Sequence, residues 1–287
     1  MNYLRHFGLR EAPFGITPDT SFFCACRSTQ EALNTLLVAV SNGEGFIKIT
    51  GEVGTGKTLL CRKFLATLDS GWVTAYIPNP AIEPRTLLLE LAEELGGQVD
   101  PAVDQHYLLK GITRTLLALA RQRKRVVLCM DESQAMPIDT LEALRLLTNL
   151  ETEKRKLLQV VLFGQPELDR KLASESIRQL RQRITFQYDI KPLAEDEVGA
   201  YVNHRLGVAG YLGQPVLTRR AVRTLRRASM GVPRLVNILS HKALLLVYGE
   251  GGYRVEPRHV RAAAQDTPAA ASARWWWPGL RRPRAAD

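Results

Sequence analysis

The first two thirds of the chain alternate between short apolar runs and longer segments in which apolar residues recur with helical spacing. Two runs, at residues 126–130 and 158–163, are apolar at consecutive positions, which is typical of strands buried on both faces of a sheet. Strands that alternate with helices indicate an α/β domain with a mainly parallel sheet. We predict strands at residues 46–50, 72–77, 126–130, 158–163 and 184–190, and helices at 57–68, 84–95, 105–122 and 140–151.

After residue 192 the strand patterns end and only helical patterns follow, with Gly or Pro at each junction. The predicted helices are 195–208, 218–228, 233–248 and 257–264. We therefore expect an α/β domain at residues 1–192, a small helical domain at 193–266 and a disordered tail at 267–287. Three tryptophans flanked by arginines lie in this tail and could contact an anionic membrane.

The composition is that of a globular protein, with 287 residues, 45% hydrophobic and 24% charged. It excludes collagen-like repeats and disulfide-stapled miniproteins. There is neither an apolar run of about 18 residues nor a secretory signal, and the four cysteines lack zinc spacing, so we expect a cytoplasmic protein with reduced thiols. The net charge of +10 suits nucleic acid, an anionic membrane or a phosphorylated ligand, and does not choose among them.

The strongest chemical signal is the segment GEVGTGKT at residues 51–58, which follows a predicted strand and precedes a predicted helix. This is the G-x-x-x-x-G-K-[ST] phosphate-binding loop, whose backbone amides surround the phosphates of a nucleotide. Lys57 is expected to reach the β- and γ-phosphates, and Thr58 to bind Mg²⁺. The predicted nucleotide-binding residues are Gly51, Glu52, Val53, Gly54, Thr55, Gly56, Lys57, Thr58 and Leu59.

Two acids end the predicted strand at 126–130. Asp131 is expected to hold Mg²⁺, and Glu132 to take a proton from the attacking water as general base. A fixed base beside the magnesium acid favours hydrolysis of ATP over phosphoryl transfer to a small molecule.

Four further polar residues are catalytic candidates. Gln165, at the end of a predicted strand, could help to place the attacking water, or could simply cap the strand. Arg181 and Arg183, and more weakly Arg178, could stabilise the transferred phosphoryl group of a neighbouring subunit, or could form a solvated face. Arg234 follows Pro233 in the first turn of a predicted helix and could read the γ-phosphate, or could be an ordinary surface arginine.

Together these features resemble the AAA+ ATPases, and within them the ExeA/GspA group of secretion ATPases, with a form similar to MshM of MSHA-type pilus biogenesis. The resemblance covers about residues 1–266 and is carried by these segments: FGLREAPFGITPD at 7–19, the loop at 51–58, DESQ at 131–134, LRLLTNLE at 144–151, FGQPEL at 163–168, LRQRI at 180–184 and GVPR at 231–234. The resemblance implies a three-layer α/β/α parallel sheet with a helical lid, Mg²⁺-dependent ATP hydrolysis and ring oligomers such as hexamers. It further implies assistance to assembly of a type IV pilus or type II secretion machine at the inner membrane.

The sequence departs from the group's pattern in three ways. ExeA-type proteins usually continue into a transmembrane helix and a peptidoglycan-binding region, and we expect neither here. The usual DEAQ reads DESQ, and Cys24 and Cys26 replace aromatic and small residues; for this cysteine pair we favour plain packing over metal binding.

Two other functions are open. The first is an ATP-dependent DNA-binding regulator like the AAA+ target-selection proteins of transposition, which the net charge favours. The second is a nucleotide-locked scaffold that hydrolyses almost nothing, against which the intact Glu132 argues.

Overall fold

The computed structural model describes residues 2–97, 100, 102–152 and 155–270. These residues form two compact units. The sheet unit consists of residues 27–53 and 57–191, and the helical unit of the described parts of Met1–Cys26, Gly54–Gly56 and Pro192–Asp287. The tail with the three tryptophans lies beyond residue 270, outside the described residues.

The sheet unit is built on five parallel strands: β1 (Phe46–Gly51), β2 (Trp72–Ile77), β3 (Arg125–Met130), β6 (Gln159–Gly164) and β7 (Ile184–Ile190). Their order in the sheet is β2-β3-β6-β1-β7. Because the strands are parallel, the carboxyl ends of β3, β6 and β1 lie side by side at one edge of the sheet. The predicted fold class, a P-loop AAA-type α/β fold, is confirmed. A separate antiparallel hairpin pairs β4 (Glu151–Thr152) with β5 (Arg155–Lys156).

Helices cover both faces of this sheet. All six residues of β6 are buried, and because successive side chains of a strand point to opposite faces, both faces of the central strand are shielded from water. On one face, Val160 and Leu162 of this strand join a hydrophobic core with apolar side chains of β3 and of the surrounding helices. The helices of the sheet unit are α2 (Arg27–Asn42), α3 (Lys57–Thr67), α4 (Pro84–Glu94), α5 (Gln105–Arg121), α6 (Ile138–Leu147), α7 (Pro166–Leu172) and α8 (Arg178–Arg181).

The predicted strands and most of the predicted helices are confirmed to within a few residues, but the helix predicted at 140–151 is wrong in its last four residues. Helix α6 ends at Leu147, and Thr148 caps it by donating its hydroxyl to the carbonyl of Arg145 over 2.9 Å. The amide of Leu157 then donates to the carbonyl of Leu150 and closes the β4–β5 hairpin. Pairing within this local hairpin thus overrides the helical spacing of the apolar residues.

The helical unit contains α1 (Asn2–His6), α9 (Glu195–Val208), α10 (Arg219–Ser229), α11 (Pro233–Gly249) and α12 (Pro257–Gln265). Its core includes Tyr3, Phe7, Leu9, Phe14 and Phe22 from the N-terminal segment. Residues 2–26 therefore group with the helical unit, whereas the division expected from the sequence placed them with the sheet.

Arg205 gives the physical reason for this grouping. It is only 5% exposed, and its guanidinium donates to the carbonyls of Pro13 (2.6 Å) and Gly15 (3.2 Å) while lying over the ring of Phe22 at 4.6 Å. The N-terminal signature of residues 7–19 is thus a structural part of the helical unit, held to α9 by a buried cation.

Within the described residues, no helix combines the length and the apolar character that crossing a bilayer requires.

Candidate functional site

The loop at residues 51–58 connects the end of β1 to the first residue of α3. Gly54 and Gly56 have φ angles of 82° and 95°, in the left-handed region that residues with a Cβ atom rarely adopt. Both glycines are thus required by the path of the backbone, which turns sharply between strand and helix. This is the geometry that the sequence pattern predicts for a phosphate-binding loop.

Lys57 lies at the start of α3 and is only 6% exposed. Its Nζ donates to the carbonyls of Gly51 (2.8 Å) and Glu52 (3.0 Å), so the ammonium lies against the loop itself. Burial lowers the pKa of Lys57, and the nearby carboxylates of Glu132 and Asp131 oppose this shift. A buried cation beside this sharply turning loop is suited to a polyanionic ligand such as the phosphates of a nucleotide.

Thr58 and Asp131 meet although they are 73 positions apart in the chain. The Thr58 hydroxyl donates to Oδ2 of Asp131 over 2.5 Å, while Oδ1 accepts the backbone amide of Glu132 over 2.9 Å. Burial raises the pKa of Asp131, which is 2% exposed, and the hydrogen bond from Thr58 lowers it in part. A hydroxyl and a carboxylate in contact are hard oxygen donors of the kind that Mg²⁺ prefers, so these residues fit that metal.

Glu132 occupies a left-handed backbone conformation (φ 48°), which is uncommon for a residue with a side chain. Its Oε2 accepts two amide hydrogen bonds, from Nε2 of Gln134 at 2.5 Å and from Nε2 of Gln165 at 3.0 Å. The Oε1 of Gln134 in turn accepts the backbone amide of Gln165 over 3.0 Å. The strained turn and the two amides together determine where the carboxylate points.

Gln134 and Lys171 were not singled out as site residues in the sequence analysis. The Nζ of Lys171 donates to the backbone carbonyls of Gln134 (2.6 Å) and Met136 (2.5 Å) and so holds the turn that follows Glu132. For Gln134, the signal was present in the motif DESQ, whose last residue follows the acid by two positions. Lys171 belongs to a different helix, and nothing in the sequence connects it to this turn.

The arginine candidates of the sheet unit differ in their surroundings. Arg183 donates through one guanidinium nitrogen to the carbonyl of Arg145 (3.0 Å), to the hydroxyl of Thr148 (3.3 Å) and to the side chain of Asn149 (2.5 Å). Arg178 and Arg181 are exposed on α8, and no hydrogen bond or ion pair engages either guanidinium among the described residues. Arg183 is therefore committed to the end of α6, and the two α8 arginines are available to another molecule.

Arg234 lies in the first turn of α11 in the helical unit, next to Gly54 of the same unit. Its backbone amide donates to the Gly54 carbonyl over 3.1 Å. A Cβ atom at Gly54 would lie 2.7 Å from the Cβ of Arg234 and 3.2 Å from a methyl group of Val232. Gly54 is thus required by close packing as well as by its φ angle.

Cys24 and Cys26 are partly buried against the core of the helical unit, with their sulfur atoms 3.1 Å apart. No group of three or more His, Cys, Asp or Glu side chains that could hold a metal ion occurs in the described part of the chain.

Residues 40–172 match the family of the AAA domain. Over 278 residues this chain is 41% identical to the general secretion pathway protein A of Aeromonas hydrophila. The match covers 97% of this chain and 51% of that protein, so the chain spans about half the length of its curated relative.

Solved structures of other AAA-type proteins share the fold at low sequence identity. The ORC2 protein of Aeropyrum pernix superimposes with a TM-score of 0.63 at 16% identity, covering 84% of this chain and 67% of that one. The Cdc6p protein of Pyrobaculum aerophilum gives a TM-score of 0.65 at 16% identity, covering 86% and 70%. At these identities the likeness establishes the fold alone.

Proposed function

We propose that this protein binds and hydrolyses ATP with the help of Mg²⁺. The observation that carries the proposal is the contact between Thr58 and Asp131, which brings the end of the phosphate-binding loop to the strand end that bears Glu132. Two oxygen donors for a metal, a buried lysine and a carboxylate base then lie around one strand edge.

In this proposal each residue has a distinct task. Lys57 exchanges its bonds to the loop carbonyls for the β- and γ-phosphates, and Thr58 and Asp131 bind Mg²⁺, which neutralises phosphate charge when bound. Glu132 accepts the proton of the attacking water. Gln165 and Gln134 orient that carboxylate by donating to its Oε2.

We further propose that the protein assembles into rings. In these rings Arg181, or Arg178, reaches the nucleotide of a neighbouring subunit. Both arginines lie on α8, and neither guanidinium forms a hydrogen bond or ion pair with the described residues. Arg234, carried on the first turn of α11, is proposed to sense the γ-phosphate.

For the cellular role, we propose assistance to assembly of a type II secretion machine or the related MSHA-type pilus, by a cytoplasmic protein peripheral to the inner membrane. The similarity to a general secretion pathway protein over nearly the whole chain supports the secretion role. The pilus role is supported by the sequence resemblance alone. Secretion and surface pili can be compared in cells that carry the natural gene, a Lys57→Ala gene or no gene; equal output from all three would contradict this role.

The biochemical test is steady-state release of phosphate from ATP by the wild type and by Glu132→Gln. We expect turnover that requires Mg²⁺ in the wild type and tight ATP binding with a loss of turnover of about 100-fold or more in the variant. Glu175→Gln removes an exposed carboxylate elsewhere in the sheet unit and is the matched control. Wild-type turnover in Glu132→Gln would remove this residue as the base. Stimulation by anionic vesicles but not by duplex DNA would support a role at the membrane.

A further inference from the structure

Helix α10 of the helical unit is unusually rich in arginine. Five of its 11 residues are arginine, and none is acidic or lysine. Its buried positions are Ala221, Leu225 and Ser229, which recur every four residues and face the core of the unit. The helix therefore has one face that is fully used in packing and another that is almost purely cationic.

The exposed arginines form a single stripe on that second face. At 3.6 residues per turn their positions fall within an arc of about 100°, roughly opposite the buried face. The rise of the helix spreads them over about 12 Å. We call this surface the arginine stripe; its members are Arg219, Arg220, Arg223 and Arg227.

The fold itself does not account for this stripe. Arg219 and Arg220 occupy the first turn of α10, where the positive end of the helix dipole disfavours cations. Arg223 lies four residues from both Arg219 and Arg227, and like charges at this spacing destabilise a helix by about 0.2–0.5 kcal/mol per pair. No carboxylate forms an ion pair with a stripe arginine anywhere in the described part of the chain. A fold selected for stability alone would not place four unpaired cations here, whereas an external polyanion would compensate them.

A groove beside the stripe continues the cationic surface. It has a volume of about 680 Å³ and is lined by Tyr211, Tyr253, Arg219 and Arg254, among others. The ring of Tyr253 is 63% exposed and is held by stacking on the ring of His6, with 4.2 Å between centroids and 9° between planes. Arg219 thus belongs to both surfaces, and the groove adds an ordered aromatic ring and a further arginine.

The character of the two faces distinguishes among polyanionic partners. A helix that binds a bilayer buries its apolar face among the lipids, but the apolar face of α10 is already buried in the core of the unit. Binding of α10 must therefore rest on phosphate contacts without apolar insertion, as with the backbone of a nucleic acid. The stripe is also about as long as the major groove of B-DNA is wide (about 12 Å), so its ends can reach phosphates of both strands.

We propose that the arginine stripe of α10 binds the phosphate backbone of double-stranded nucleic acid, without reading its sequence. The site does not depend on ATP hydrolysis, and it gives the DNA-binding alternative a specific location on the molecule.

The test is the salt dependence of binding to a fluorescent DNA duplex, measured by anisotropy on the full chain between 50 and 200 mM salt. Four phosphate contacts predict a slope of about −3.6 in log K against log salt, or a loss of affinity of about 100-fold over this range. Replacing the four stripe arginines by Gln should reduce the magnitude of the slope by about 3 to 4 and weaken binding at 50 mM salt at least about 10-fold. Replacing them by Lys should largely preserve both.

A matched control replaces four exposed cations of the sheet unit by Gln, at Lys110, Arg114, Arg121 and Lys124, with the same change in net charge. It should retain the wild-type slope. Circular dichroism checks that each variant is folded, and turnover of ATP without DNA should be equal in stripe variant and wild type. The proposal is overturned if the two Gln variants lose affinity equally, if the stripe variant keeps the wild-type slope, or if the wild type binds anionic vesicles but no duplex at 50 mM salt.

Discussion

The side-chain amide of Gln165 donates a hydrogen bond of 3.0 Å to Oε2 of Glu132, the same oxygen that accepts the amide of Gln134. The end of β6 is thereby joined to the end of β3 at the proposed base. A carboxylate held by two amides has a defined direction.

Gln165→Ala should lower the turnover of ATP by about 10- to 100-fold, because the carboxylate of Glu132 loses one of its two orienting donors. Affinity for ATP should change less than about twofold, since Gln165 contacts the base and not the phosphate-binding loop. Single-turnover hydrolysis and nucleotide titration separate the two effects. In a Glu132→Gln background the substitution should have almost no further effect on turnover; an additional loss of full size would show that Gln165 acts independently of Glu132.

Lys57→Ala should reduce affinity for ATP by at least about 100-fold, because the phosphates lose their buried cationic partner. The fold should tolerate the change, since burial already lowers the pKa of Lys57 and its charge is costly to bury. Equilibrium binding of a fluorescent ATP analogue and thermal unfolding measure the two quantities. Lys110→Ala, which removes an exposed lysine of α5, is the control. Undiminished affinity would contradict the assignment of the phosphate-binding loop.

Asp131→Asn should abolish hydrolysis yet raise the melting temperature at pH 7 by about 2 °C. Burial raises the pKa of Asp131, so the folded state opposes its ionisation. At pH values above the ordinary carboxyl pKa, the charge on Asp131 therefore destabilises the folded state. The higher melting temperature of the variant should disappear as the pH falls through the raised pKa and below the ordinary one. Asp131 of the wild type is then neutral in both the folded and the unfolded state. Thermal unfolding from pH 3 to 8 measures the difference, and an advantage independent of pH would contradict this explanation.

Mixing Arg181→Ala protein with Lys57→Ala protein should restore part of the ATPase activity that each lacks, if Arg181 acts on the nucleotide of a neighbouring subunit. The mixture pairs an intact phosphate-binding loop with an intact arginine at some interfaces. Arg183→Ala should instead lower stability, because Arg183 donates to three acceptors at the end of α6. A mixture no more active than the sum of its parts would argue against a role for Arg181 between subunits.

Arg205→Ala should lower the free energy of unfolding by about 2–4 kcal/mol, because the carbonyls of Pro13 and Gly15 would lose their buried donor. Arg205→Lys should recover only part of this loss, since an ammonium cannot reproduce the planar contact with Phe22. Denaturant titration measures the change, with Arg261→Ala on the exposed side of α12 as control. A loss below about 0.5 kcal/mol would show that the N-terminal segment is held by its apolar residues alone.

The elements of the sheet and the loop at 51–58 could be predicted from the sequence because their determinants are local. A strand buried on both faces needs consecutive apolar residues, and these occur at residues 126–130 and 158–163. The turn from β1 to α3 needs glycines at defined positions, and Gly54 and Gly56 supply them. Asp131 could be placed at a strand end for the same reason, because it follows directly on an apolar run.

Contacts between distant segments could not be predicted in this way. The sequence alone favoured Arg181 and Arg183 equally, and only the tertiary structure separates them, by packing Arg183 against the end of α6. The N-terminal residues precede the sheet in the chain yet complete the core of the helical unit, because the buried Arg205 finds its acceptors there. The sequence by itself was enough to propose candidate residues for binding phosphate and metal, since that chemistry depends on residue type and short spacing. Which side chains meet across 73 or more positions, as Thr58 and Asp131 do, was decided only by the packing of the folded chain.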